Sequence, residues 1–238
     1  MRLLCLCLTP AFVGVLHAGE QWPLLRHTSY VVALAPEGSV IRASLSCERR
    51  ASYPEWLQYT IIDSSGAELA RGEVAPGDRA RPRVEVKRPG IHVIELACGW
   101  NVCTCAVEGL PYAQVVKRRL PLQTIGPIPR MYFYVPGKCA AFSVFFSSSV
   151  TGEGLRLRVR DPEGRQAGTY DGDADDLQKL SLRPGPGQTG KAWSFAIEKP
   201  TTPGLALDDV LLHFSDEIPP FVAARAEWAQ QLGEGGLR

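Results

Sequence analysis

The chain has 238 residues and a mass of 26.0 kDa, room for one large or two small domains at roughly 100–200 residues each. Apolar residues make up 45% of it, enough for a packed core, which excludes wholesale disorder. Lys and Arg number 26 against 25 Asp and Glu, and that balance excludes nucleic acid as the main partner, because phosphate binding needs clustered excess positive charge.

Residues 1–18 read as an export address. Met1-Arg2 supplies a positive charge, and Leu3 to Leu16 is apolar apart from Thr9, Pro10 and Gly14. His17-Ala18-Gly19 then offers small residues for cleavage, the layout of a secretory signal. An apolar run of about 14 residues is shorter than the roughly 20 that cross a bilayer core. No later segment is long and apolar enough, so the expected mature chain, from residue 19, has no membrane span. The expected location is secreted, periplasmic or in the cell envelope.

Export decides how the cysteines are read. Seven are present, with Cys5 and Cys7 in the signal. The remainder, Cys47, Cys98, Cys103, Cys105 and Cys139, are disulfide candidates in an oxidising compartment. Their odd number leaves one thiol free or bonded to another chain. Cys98-Gly-Trp-Asn-Val-Cys103 reads as two strand ends joined by a tight turn, which brings Cys98 and Cys103 within bridging distance. Cys103 and Cys105 share a strand face, and both are able to meet Cys47 or Cys139. A thiolate metal site and a redox role are the alternatives; the spacing is not that of a standard zinc knuckle.

From Ser29 onward, short β-forming runs alternate with turn residues at intervals of roughly 8–12, the signature of an all-β sandwich. The 23 Gly and 19 Pro suit many turns. Strands are expected at 30–34, 40–47, 56–63, 68–74, 83–87, 91–98 and 102–107. A second set is expected at 130–135, 141–147, 155–161, 165–170, 177–182, 193–198 and 210–214. In the run from Arg81 to Lys87, Val84 and Val86 point inward. Leu155, Leu157 and Val159 face one way, and Arg156, Arg158 and Arg160 the other. A one-residue slip buries three arginines, so the register is firmly set.

A weak internal repeat supports two modules. Tyr59-Thr-Ile-Ile-Asp-Ser-Ser-Gly66 aligns with Leu157-Arg-Val-Arg-Asp-Pro-Glu-Gly164. Each gives strand, Asp-x-x-Gly turn, strand, and Asp first with Gly fourth is what a type I turn favours. The expected fold is therefore all-β, with two tandem antiparallel β-sandwiches of jelly-roll or immunoglobulin-like kind. The first spans 19–122, a stiff linker 123–129, and the second 130–217. Residues 218–238 form a tail with a short helix at 221–232.

Met131-Tyr-Phe-Tyr-Val-Pro-Gly137, the strand 142–146 and the run 155–164 together resemble the bacterial pre-peptidase C-terminal domain. That family opens on an aromatic Y-F-x-V-P-x-G strand and follows it with L-x-V-x-D-P-x-G. The resemblance spans about 128–215. It implies a small extracellular jelly-roll-like sandwich of the kind appended to secreted hydrolases.

No catalytic signature is present: H-E-x-x-H, G-x-S-x-G, the P-loop and a strand-borne G-x-G-x-x-G are all absent. His92 and His213 sit inside predicted strands, and His27 precedes the first. The one acid cluster, Asp171-Gly-Asp-Ala-Asp-Asp176, supplies hard oxygens from Asp171, Asp173 and Asp175 for calcium. It breaks the EF-hand pattern, and a solvated acidic turn is the ordinary reading. Exposed aromatic rings stack on pyranose faces, and Trp56, Trp100 and Tyr112 are the candidates. Trp193 alternates with Phe195 and Ile197 and reads as core.

These residues point to an exported, non-enzymatic binding or structural protein without a cofactor, calcium being the exception to test. Its expected partner is a polysaccharide or an envelope protein. The rival is a secreted hydrolase or metal-dependent enzyme using a carboxylate cleft or the cysteines. A third reading is assembly through the odd cysteine.

Overall fold

The computed structural model describes residues 22–235. The signal-peptide reading lies outside them. The first half holds β1 (Leu24–Ala35), β2 (Val40–Glu48), β3 (Leu57–Ile62), β4 (Glu68–Val74), β5 (Arg79–Ala80), β6 (Arg83–Glu85), β7 (Gly90–Val107) and β8 (Tyr112–Val115). The second holds β9 (Leu122–Ile125), β10 (Ile128–Val135), β11 (Phe142–Ser147), β12 (Gly154–Arg160), β13 (Gln166–Asp173) and β14 (Gln178–Leu182). It closes with β15 (Lys191–Glu198), β16 (Asp209–Phe214), β17 (Phe221–Ala223) and the helix α1 (Ala226–Gly235). The expected all-β antiparallel class holds.

The expected division does not. Residues 123–129 are not a free connector, because they supply most of β9 and the start of β10. β9 pairs with β1 on one side and β16 on the other. One sheet runs β4-β3-β7-β1-β8-β17-β10-β15-β12-β13, crossing from the first half into the second at β8–β17. The other runs β14-β11-β16-β9-β1-β7-β2, with β5 and β6 on its end, and crosses at β1–β9–β16. A single buried cluster reaches from Leu25 and Ile41 to Phe133, Trp193 and Phe214. The C-terminal segment is correspondingly built in. Its expected helix starts later, at Ala226, because Phe221–Ala223 is taken up as a strand between β8 and β10.

β1 and β7 belong to both sheets. β7 is 18 residues long, so the expected hairpin at Cys98–Cys103 is instead one strand with a wide bulge. Thr28 faces Ala97 and Arg26 faces Val102, which leaves His27 alone opposite residues 98–101. The extra residues let the strand turn from one sheet to the other. His27 takes a left-handed backbone, φ 57°, a conformation that costs a non-glycine residue roughly 1–3 kcal/mol unless its surroundings enforce it. Gly99 has φ 58°, and a Cβ there would stand 2.8 Å from the Glu55 side chain.

Period-2 patterning places the rest. Leu155, Leu157 and Val159 are buried, and the arginines between them are half-exposed. Arg158 pairs with Glu198 at 3.1 Å and Arg156 with Asp171 at 3.7 Å, so that row is a charge-balanced face. Val84 and Val86 are buried, as are Phe133 and Trp193. His92 lies inside a strand, as its neighbours suggested, and is fully buried.

The two Asp-x-x-Gly segments adopt one structure. Gly66 N–H donates to the Asp63 carbonyl at 3.0 Å, and Gly164 N–H to that of Asp161 at 2.9 Å. Asp63 Oδ1 accepts from the backbone N–H of Ser65 and of Ala67, at 2.8 and 2.9 Å. Asp161 Oδ1 accepts from Glu163 and Arg165 at 3.1 and 2.8 Å. In both, the side chain holds the turn.

Two outcomes are expected. The shared sheets make urea unfolding a single transition, with circular dichroism and tryptophan fluorescence coinciding; two separated transitions would show independent halves. The bonds from Ser65 and Ala67 hold the Asp63 carboxyl down, to about 2 from 3.8. Its contribution is thus present above pH ~4 and lost as the pH falls through ~2. Asp63→Asn should lower Tm at neutral pH, and the gap to the parent should close between pH ~5 and ~2; a constant gap would contradict this.

Candidate functional site

The bulge that bends β7 also presents Trp100. This residue is 48% exposed. Its ring meets the edge of His27 at 4.7 Å and stacks near Tyr53 at 6.0 Å, 27° between planes. The Arg26 guanidinium lies 5.1 Å from the ring centre, a cation–π distance. Asn101, fully buried, fixes the facing loop. Its Oδ1 accepts from Arg50 N–H at 2.8 Å, and its Nδ2 donates to the Glu55 and Tyr53 carbonyls at 2.7 and 3.3 Å. Trp56, 52% exposed, follows directly on that tethered segment.

The polar edge comes from the other half of the chain. Arg26 Nη1 donates to Asp209 Oδ1, and its Nε donates to the Trp100 carbonyl at 3.3 Å. Asp209 Oδ2 accepts from Ser149 Oγ at 2.9 Å. Both charged side chains are largely dry, at 10% and 13% exposure. Between them and Trp100 opens a cleft of about 100 Å³, whose lining includes His27, Gln123 and Thr124. Thr124 Oγ1 is buried there without a hydrogen-bond partner among the described residues. Burial, then the neighbouring Arg26 charge, pushes His27 below its ordinary pKa and keeps the ring neutral. Glu153 is almost buried as well; burial, then the Asp209 and Asp208 charges, push its carboxyl upward. At this size the cleft holds a substituent rather than a whole ligand, since enclosing pockets run to roughly 300–1,000 Å³.

The other expected site residues scatter. Tyr112 is a core residue at 1% exposure, not a contact. It stacks on Trp22 at 4.7 Å and meets Trp228 at 4.8 Å, because β8 is an inner strand covered by α1. Asp171, Asp173 and Asp175 do not converge. Asp171 accepts from Thr201 N–H and Oγ1 at 2.8 and 2.7 Å. Asp173 accepts from Asp175 N–H at 2.8 Å, and Asp175 from Gly152 N–H at 3.0 Å. Among the described residues no three His, Cys, Asp or Glu side chains are grouped to hold a metal ion.

All five cysteines are buried thiols. Cys139 stands apart in the turn after β10, its thiol donating to the Ala141 carbonyl at 3.4 Å. Burial pushes Cys105 up to about 12, which makes it inert. Cys47, Cys98 and Cys103 gather beneath the bulge.

A larger cavity, about 690 Å³, opens beside Lys117, Arg118 and Arg119, with Phe214 and Phe221 on its walls. Those two rings are buried, so it presents no aromatic platform.

No protein-family model matches this chain, and no curated protein does. Among solved structures it is similar to that of the M60 catalytic domain with the CBM51-1 and CBM51-2 domains of ZmpB from Clostridium perfringens, at 7% identity and a TM-score of 0.29. The match covers 85% of this chain and 35% of that one, so this chain spans about a third of its neighbour's length. A likeness of that degree carries no argument about function. Among the described residues no helix is long and apolar enough to cross a membrane.

Sequence reasoning named Trp100 and Trp56, which are both exposed, and did not name Arg26, Tyr53, Thr124, Ser149 or Asp209. Arg26 and Asp209 are separated by 183 positions, and neither lies in a motif. Breaking a buried ion pair from one side typically costs about 3–5 kcal/mol, while replacing both partners by apolar side chains of similar volume is often near neutral. Arg26→Ala should therefore lower urea stability by about that amount, and Arg26→Met/Asp209→Leu should recover much of it. Equal losses in the single and double variants would show that the pair is not coupled.

Proposed function

We propose that the chain is an exported, non-enzymatic glycan-binding β-sandwich protein whose contact surface is the Trp100 platform. The observation that carries this reading is a half-exposed indole, seated by Tyr53, His27 and Arg26, beside a dry polar edge. A pyranose has an apolar face and a polar rim. The ring takes the face, and Gln123 and Asp209 take hydroxyls at the rim. Fixing the indole in advance lowers the ordering cost that a flexible surface residue pays on binding. Trp56 extends the surface along the tethered loop and suits a polymer of several sugar units. Export rests on the apolar leader, and the resemblance to the pre-peptidase C-terminal domain supports an extracellular setting.

The test is retention of the chain on immobilised polysaccharides, with and without a chelator. Trp100→Ala, checked for native circular dichroism, should weaken retention at least tenfold, equivalent to about 1.4 kcal/mol. Tyr112 is core, so Tyr112→Phe should retain binding. Chelation should change nothing, because the three aspartates face separate partners. Absence of retention on every glycan, or full retention by Trp100→Ala, would overturn the reading.

A further inference from the structure

The ladder beside the bulge sets two thiols face to face. β2 pairs with β7 so that Cys47 stands directly opposite Cys103, Ser46 opposite Thr104 and Leu45 opposite Cys105. The Ser46 and Thr104 hydroxyls meet across the strands at 2.6 Å, which fixes the register one residue from the cysteines. Cys47 and Cys103 are 1% and 0% exposed and belong to the same buried cluster. Directly opposite residues of an antiparallel pair put their side chains on one face, so the two thiols share the dry side of the sheet.

The backbone gives their reach. Opposite pairs in an antiparallel ladder alternate between hydrogen-bonded and non-hydrogen-bonded. Glu108 N–H donates to the Arg42 carbonyl at 2.9 Å, so the position before Ala43–Val107 is a bonded pair. Counting along the ladder, Ala43, Leu45 and Cys47 fall in non-bonded pairs. Cys47 agrees: its N–H donates to the Asp78 carbonyl at 3.2 Å and its carbonyl accepts from Gly77 N–H at 2.8 Å, both on the side away from β7. Cα atoms in such a pair stand about 4.5 Å apart, within the roughly 4.4–6.8 Å that disulfides span. Among the described residues the other cysteines face no thiol across a ladder. Cys105 faces Leu45. The Cys98 sulfur lies against the carbonyls of Leu25, His27 and Asn101, and that of Cys139 against the Ala141 carbonyl.

We propose that Cys47 and Cys103 form a disulfide when the chain folds in an oxidising compartment, pinning the segments that carry Trp56 and Trp100 at their common root. Residues 48–102, which the bond encloses, include both tryptophans. The Arg50 N–H bond to Asn101 Oδ1 lies just beyond it, three residues after Cys47 and two before Cys103, so bond and tether clamp the same two segments in succession. The oxidising setting rests on the export reading, and the effect on the tryptophans rests on the glycan-binding reading. The chemistry is exchange with a disulfide oxidant, and it precedes closure of the core, because both sulfurs are shut off from solvent in the folded chain. The thiolate of one cysteine attacks a sulfur of the oxidant, forming a mixed disulfide and releasing the other sulfur as a thiolate. The second cysteine's thiolate then attacks the protein sulfur of that mixed disulfide, forming the Cys47–Cys103 bond and releasing the second thiolate. The two cysteines lose two electrons, the oxidant gains them, and the two thiol protons pass to the released thiolates.

The test maps the full chain after reduction in denaturant and refolding in a mixture of reduced and oxidised glutathione. The product is blocked with iodoacetamide in denaturant and digested with trypsin and chymotrypsin, which cut after Arg42, Arg49, Leu96, Trp100 and Tyr112. The expected product joins the Cys47 peptide, within 43–49, to 101–112, with Cys98 and Cys139 alkylated. Cys105→Ala should keep this cross-link, and Cys103→Val, which fills the dry site, should abolish it. Alkylation of both Cys47 and Cys103 in the parent chain, a cross-link from 97–100, or a cross-link to Cys47 that survives in Cys103→Val would overturn the proposal. The parent map decides the pairing without the variants. Glycan retention is measured separately on oxidised and fully reduced protein, with a severalfold loss expected on reduction. Equal retention would overturn the link to the tryptophans. A cross-link with no glycan retention in either state would sink the binding reading and leave the disulfide standing.

Discussion

The structure depends on one mismatch in one strand pair. His27 on β1 faces residues 98–101 on β7, and this surplus lets two strands leave one sheet and enter the other together. Hydrogen bonding continues on both sides of the bend, so neither sheet pays for the turn with an exposed edge. The bend also takes the four residues 98–101 out of the ladder. One of them, Trp100, is half exposed, and another, Asn101, is wholly buried as the tether of the facing loop. The feature that joins the layers is thus the feature that offers a ring to solvent.

Much of the fold was legible because period-2 patterning is a local signal. Leu155, Leu157 and Val159 declare their face within seven residues, and Val84 and Val86 do so within three. Asp63 and Asp161 were legible for a similar reason, since a side chain that caps its own turn needs no distant partner. The continuity of the sheets was not. Gln123 to Pro129 reads as a linker by composition, and only the arrival of β16 beside β9 turns it into ladder. Likewise, Gly99 suggested a tight turn. A glycine with positive φ serves a bulge as well as a turn, and the partner strand decides between them.

The candidate site shows the same boundary between local and distant signals. Trp100 and Trp56 stand out as bulky rings among turn residues. Tyr112 stood out equally, but α1 and Trp22 arrive from the ends of the described chain to cover it. Arg26 is one arginine among many until Asp209 folds against it. Asp171 and Asp173 are two apart on β13 and share an exposed face, and each finds its own N–H or hydroxyl donor. Closeness in sequence brought the carboxylates near each other without aiming them at a common point.

The position of β1 has a mechanical consequence. Its first residues pair with β9 and β7, and its later ones with β7 and β8, so it is an inner strand of both sheets. Ladder hydrogen bonds run perpendicular to their strands. Tension drawn along the axis of β1 from its N-terminal end therefore loads all of those bonds together in shear, instead of unzipping them one at a time. A pull on β17 and α1 meets a three-residue strand first. The described fold thus resists tension along β1 more than tension along β17 and α1.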